Sequence, residues 1–154
     1  MPARLDGHLA RPDRPAAGDR CPIDRTMQII GTRSAMLLLR EAWYGTTRFD
    51  DFATRVGISD AIASARLREL VDAGLLERRP YREPGQRTRH EYVLTESGSE
   101  LVPVLVGLLA WGRKHAPHDG TPTASHAACG ADVTVELRCT AGHEVAPEDV
   151  VVSA

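Results

Sequence analysis

Apolar residues recur at helical spacing from Ile23 through Met27 to Ile30, and Pro22 just ahead of them suits a first helical turn. The spacing predicts a helix ending near Gly31. A second helix is expected from about Ser34, a residue type that caps helix starts, through Met36-Leu37-Leu38-Leu39 to Trp43, with Gly45 stopping it. Phe49, Phe52 and Val56 mark a short amphipathic helix that ends at Gly57. Ser59 then caps a new helix whose inward stripe is Ala63, Leu67, Leu70 and Val71. Two short helices joined by a glycine-containing turn form a helix-turn-helix.

Gly74 closes that unit, and the pattern changes from helical to extended. Leu75 to Tyr81 reads as a strand, Pro84-Gly85 as a turn, and Arg89 to Leu94 as a returning strand with Tyr92 and Leu94 on one face. A hairpin placed after a helix-turn-helix is the wing of a winged helix. The last helix is expected to open at the capping box Ser97-Gly98-Ser99-Glu100. Leu101, Val102, Val104, Leu105, Leu108, Leu109 and Trp111 cover nearly its whole circumference. A helix apolar all round must be buried, and in a chain this short a second copy is the simplest cover, so a homodimer is expected. Residues 1–20 carry no apolar period and read as a disordered arm. Residues 117–125 read as a linker, and residues 126–154 as a small acidic module in which Val133, Val135 and Leu137 alternate as a strand does. The expected fold class is mainly α with a small β-hairpin: a winged helix-turn-helix over residues 21–116, plus a β-rich C-terminal extension.

Composition narrows the function. With 154 residues, 42% hydrophobic and 26% charged, the chain matches one folded domain and excludes collagen-like, wholly disordered and disulfide-scaffold classes. Its longest uncharged apolar run, Leu101 to Gly112, is too short to span a bilayer, and the first 20 residues have no secretory apolar core. Three widely spaced cysteines fit a reducing compartment, and a cytoplasmic location is expected. The net charge of −2 would argue against a nucleic-acid partner if it were evenly spread. It is not: residues 119–154 carry −5 and residues 1–118 carry +3. Between Arg78 and Arg89 the bases Arg78, Arg79, Arg82, Arg87 and Arg89 face only Glu83, a concentrated positive patch suited to a polyanion.

An ordered set of short motifs adds a resemblance. Cys21-Pro22, Leu38-Leu39-Arg40-Glu41, Gly45, Arg48-Phe49 and Gly57-Ile58-Ser59 come first. Ser64-x-Arg66-Leu67-x-x-Leu70, Gly74-Leu75, Glu91-Tyr92-x-Leu94-Thr95-x-x-Gly98 and Trp111-Gly112 follow. From Cys21 to about His115 the chain resembles the HxlR family of bacterial transcription regulators, relatives of the MarR-like winged helices. The resemblance implies a homodimer held by the first and last helices, with the second helix of each helix-turn-helix in a major groove of double-stranded DNA. It also implies a redox role for the cysteine at position 21 in some members. Gly31-Thr32-Arg33-Ser34, Ala63 and the longer wing tip Pro84-Gly85-Gln86-Arg87-Thr88-Arg89 depart from the common pattern, so base preference does not transfer.

On this reading the DNA-contacting residues are Ser59, Asp60, Ala61, Ser64, Arg66 and Arg68 on the recognition helix and Gln86, Arg87, Thr88 and Arg89 on the wing. Small side chains permit close approach to the groove, and Arg66 is the candidate for a bidentate contact to guanine, against the alternative of an ion pair with Glu69 or Asp72. Arg68 reads as solvated or phosphate-facing, and the wing residues as backbone or minor-groove contacts. The dimer residues are Ile23, Met27, Leu101, Leu105, Leu108 and Trp111. Cys21, at a helix start where the dipole favours thiolate chemistry, is either a redox residue or a small cap. His90 shares a strand face with Tyr92 and Leu94 and reads as a satisfied core histidine.

His126, Cys129, Cys139 and His143 are the right residue types for a tetrahedral zinc site. Their spacing is not that of a zinc ribbon, and a module folded without metal is the expectation. No phosphate-binding glycine loop, nucleophile elbow or HExxH motif is present, and no enzyme is expected. The reading is therefore a DNA-binding regulator of a pseudo-palindromic operator, responsive in principle to a small-molecule or redox signal. The alternative is a winged-helix protein-interaction module without operator binding.

Overall fold

The computed structural model describes residues 2–14, 16, 20–82, 84, 85 and 87–153. Its elements are β1 (Arg4–Leu5), α1 (Pro22–Ile30), α2 (Arg33–Trp43), α3 (Phe49–Val56), α4 (Asp60–Asp72), β2 (Leu76–Tyr81), β3 (Arg89–Leu94), α5 (Glu96–Ser99), α6 (Val102–His115) and β4 (Val151–Val152). Two 3-10 turns, Gly7–Ala10 and Pro147–Asp149, complete them. They fall into two compact units, residues 18–105 and residues 1–17 with 106–154.

In the unit spanning 18–105, one side of each helix meets a common core. Leu38, Leu39, Phe52, Leu67, Leu70 and Leu76 are fully buried there. Burying side chains of this size stabilises by about 1.5–3 kcal/mol each, so these few residues dominate the fold's stability. Tyr92 and Leu94 pack against the same core from the wing, and Tyr92 meets Phe52 edge-on with ring centroids 6.2 Å apart. Glu41 is buried within this frame because its carboxylate accepts bonds from Arg40 Nε (3.1 Å) and Thr46 Oγ1 (3.2 Å). That pairing fixes the turn leading from α2 into the helix-turn-helix.

Two caps differ from the sequence reading. Thr32, not Ser34, caps α2 by accepting from Ala35 N–H at 3.2 Å. Thr95, not Ser97, caps α5, and Glu100 follows that short helix instead of closing a box with Ser97. Thr95 prevails because its hydroxyl has two uses: it accepts from Gly98 N–H (3.0 Å) and donates to Gly74 O (2.6 Å). The wing is thereby fastened to the end of α4.

The flanking segments depart further. The arm expected to lack structure pairs Arg4 and Leu5 in parallel with Val151 and Val152, a contact between chain ends that no local periodicity can announce. The tail is not β-rich among the described residues. Val133, Val135 and Leu137 are 41–50% exposed and lie in no strand, because their alternation has no partner strand to pair with. Turns and two isolated bridges, Ser125 with Asp132 and Arg138 with Glu144, occupy the region instead.

Candidate nucleic-acid interface

Ser59 caps α4 by accepting from Ile62 N–H, which sets the rotation of the helix. Ala63, Leu67 and Leu70 then point into the core. At about 100° per residue the opposite side presents Ala61, Ala65, Arg68 and Asp72, all exposed. Ser59 and Asp60 are exposed at the helix start, whereas Ser64 and Arg66 lie half-buried on the flanks. Two alanines near the start leave the backbone open to close approach, and Arg68 is the cation centred on that face.

Arg66 is engaged by Glu69, three residues on, with the two side chains 35% and 54% exposed. A surface pair of this kind contributes about 0–1 kcal/mol, so a phosphate can compete for the guanidinium. The ion pair with Glu69 weighed for Arg66 is present, and Arg68 takes the outward position. Ile62, which the sequence reading leaves out of the contact set, is 47% exposed beside this face. Its signal was its place one residue out of phase with the buried stripe.

The wing is an antiparallel pair with Leu76 opposite Leu94 and Tyr81 opposite Arg89. A third short piece joins it: Tyr92 N–H donates to Thr47 O at 2.9 Å, and Arg48 bridges Glu91. The Arg48 guanidinium stacks over the Tyr81 ring, 3.2 Å from its centroid, so the start of α3 and the stem of the wing are held together. Along the strands, Arg79 pairs with Glu77, and Arg78 donates to His90 Nδ1 at 3.0 Å. His90 is satisfied, as expected, but on the half-buried outer stem and not in the core. Arg87, Thr88 and Arg89 are exposed at the tip; Gln86 lies outside the described residues. Among the described residues Arg68, Arg87 and Arg89 have no ion-pair partner.

Of the expected dimer residues, Ile23 and Met27 on α1 are 75% and 53% exposed, and Leu108 and Trp111 on α6 are 54% and 63% exposed. Leu101 and Leu105 turn inward, Leu101 against the core, so the single chain already covers part of the helix. Cys21 is the half-buried N-cap of α1 and makes no capping bond through its side chain. His126 contacts Cys129 and Cys139 contacts His143, all four exposed. No helix among the described residues is long and apolar enough to cross a membrane.

The family model for the HxlR-like helix-turn-helix matches residues 29–120. The chain is 37% identical over 131 residues to the HTH-type transcriptional regulator Mb3122 of Mycobacterium bovis, covering 83% of this chain and 82% of that one. Among solved structures, PA1607, assigned as a transcription factor, superposes with a TM-score of 0.77 at 33% identity, covering 88% of this chain and 95% of that one. The redox regulator HypR in its reduced form gives a TM-score of 0.56 at 28% identity over 62% of this chain and 94% of its own. Helix order, wing and sequence agree, and the chain belongs to the HxlR-like helix-turn-helix family of transcriptional regulators.

Proposed function

We propose that the protein regulates transcription by binding a pseudo-palindromic operator in double-stranded DNA as a homodimer. The observation that carries this is the outward face of α4, small at Ala61 and Ala65 and cationic at Arg68, in the same unit as a wing tip bearing Arg87 and Arg89 exposed and, among the described residues, without ion-pair partners. Alanines admit the helix to a major groove, and Arg68 reads a base edge or the phosphate beside it. Ser59, Asp60 and Ser64 line the approach, and Arg66 leaves Glu69 for a phosphate at the groove margin. Arg87, Thr88 and Arg89, with Gln86 beside them, grip the backbone or minor groove and supply affinity more than sequence choice. Ile23 and Met27 on α1, and separately Leu108 and Trp111 on α6, are exposed apolar positions that a second copy covers, while Leu101 and Leu105 turn inward.

Two signals fit this frame. A groove of about 380 Å³ between α1, the end of α4 and α5, bounded by Ile29, Leu75, Leu101 and Glu100, is of the size that holds a small apolar effector. Cys21, at the start of the same α1, is the position for a redox input, and a redox regulator is among the structural relatives.

Selection of bound duplexes from a random pool tests the reading. Enrichment of inverted repeats with half-sites one helical turn apart, about 10–10.5 base pairs, is expected. A pool that stays random after repeated rounds, with no retained duplex, refutes operator binding and favours a protein-interaction module.

A further inference from the structure

The acidic tail has almost nothing inside it. Val133, Val135 and Leu137 are 41–50% exposed, and segments this short seldom hold a fixed shape on apolar burial alone. Yet its backbone is folded into two tight loops. Val133 N–H donates to Ala124 O at 2.9 Å and closes the first; Val145 N–H donates to Leu137 O at 2.9 Å and closes the second.

Each loop holds one histidine and one cysteine side by side. In the first, Cys129 and Gly130 both donate backbone N–H groups to His126 O, Gly130 takes φ +71°, and His126 Nδ1 lies 3.2 Å from Cys129 Sγ. In the second, Cys139 N–H donates to His143 O at 3.0 Å, Gly142 takes φ +85°, and Cys139 Sγ lies 3.6 Å from His143 Nδ1. Zinc bonds of about 2.3 Å to sulfur and 2.0–2.1 Å to nitrogen at a tetrahedral angle place the two ligand atoms about 3.5 Å apart. Both pairs have that bite. Spacing along the sequence argued for a tail without metal; the side-chain distances argue the other way.

Among the described residues no three His, Cys, Asp or Glu side chains gather at one point, so each loop is a two-ligand half-site. A two-ligand half-site leaves two positions of a zinc ion to water, whereas structural sites are closed by four protein ligands. Only residues 134–136 separate the two closed stems, so the loops are near neighbours along the chain. We infer that one zinc ion joins the two loops, held by His126, Cys129, Cys139 and His143, and gives the tail the fixed interior its apolar residues do not provide. Both thiols bind as thiolates, so each ion taken up releases their protons to solvent and binding weakens as pH falls.

The test uses the full chain without an affinity tag, expressed in zinc-supplemented medium and analysed for metal by mass spectrometry. About one zinc per chain is expected, falling at least tenfold in Cys129→Ser and in His143→Ala but retained in His118→Ala. Cobalt(II) added to the demetallated wild-type chain should give the intense visible bands and sulfur-to-metal charge transfer of a tetrahedral thiolate site, independently of how the variants fold. Zinc at background level in the wild type, no charge-transfer band, or one zinc for every two chains overturns the inference. So does zinc retained by both Cys129→Ser and Cys139→Ser.

Discussion

Gly98 is the position where one added methyl group most directly tests how the wing is fastened to the recognition helix. A Cβ built there lies 2.1 Å from Leu75 O and 2.9 Å from Leu94 Cδ2, whereas real Cβ atoms stay beyond 3.0 Å. The nearer neighbour is backbone, so it cannot swing aside. Relief requires α5 to move away from the start of β2, which lengthens the Thr95 N–H to Leu75 O bond (3.1 Å) and the Thr95 Oγ1 to Gly74 O bond (2.6 Å). Overpacking costs about 1–3 kcal/mol and each weakened bond about 0.5–1.5 kcal/mol. Alanine's better helix propensity returns at most about 1 kcal/mol. Gly98→Ala should therefore destabilise by about 2–3 kcal/mol, a fall in Tm of roughly 10 °C or more for a unit of this size. Gly107→Ala is the control: nothing lies within 4 Å of its Cβ, and it should be neutral or stabilising by up to about 1 kcal/mol. Thermal unfolding followed by circular dichroism measures both. Equal stability of Gly98→Ala and the wild type would refute the steric argument.

Three further outcomes follow from the same geometry. Arg68→Ala should cost about 1–3 kcal/mol on a selected operator and relax base preference, while Arg66→Ala weakens specific and random duplexes alike; the reverse pattern in competition binding would return the reading role to Arg66. Arg48→Ala removes the stack on Tyr81, worth about 0.5–2 kcal/mol, and should loosen the wing so that affinity falls several-fold; an unchanged dissociation constant would show that the stack does not set wing position. Trp111→Glu places a charge on the exposed apolar side of α6 and should convert a dimer to a folded monomer in sedimentation; a dimer that persists would move the interface elsewhere.

What could be read from the sequence was whatever rests on local pattern against a buried face. The stripe Ala63, Leu67, Leu70 gave the recognition helix its inward side, and the run from Leu75 to Leu94 gave the wing, because in each case the period reports a core that is there. Patterns without a core misled: Val133, Val135 and Leu137 alternate but meet no second strand. Contacts between distant residues were invisible, among them Leu5 with Val152 and Tyr92 N–H with Thr47 O. Choices between adjacent polar residues also escaped, since Thr95 outranks Ser97 through its bonds to both Gly98 N–H and the distant Gly74 O. At the candidate site, residue types were legible but facing was not. Arg66 and Arg68 differ by two residues, or about 200° of rotation, and the folded helix shows that Glu69, not Asp72, holds Arg66 while Arg68 faces outward.

If this chain grips duplex DNA through α4 and the arginines of its wing tip, its affinity must fall steeply as salt rises. Fluorescence anisotropy with a selected duplex, repeated over rising potassium chloride, gives the slope of log affinity against log salt. Each neutralised phosphate contributes about −0.9, so 6–10 contacts per dimer predict a slope of about −5 to −9. Replacing Arg87 and Arg89 together by alanine should make that slope shallower by as much as about 4 per dimer, one unit for each lost contact. An affinity that stays flat from low to moderate salt, or a slope unchanged in the double variant, would contradict the account.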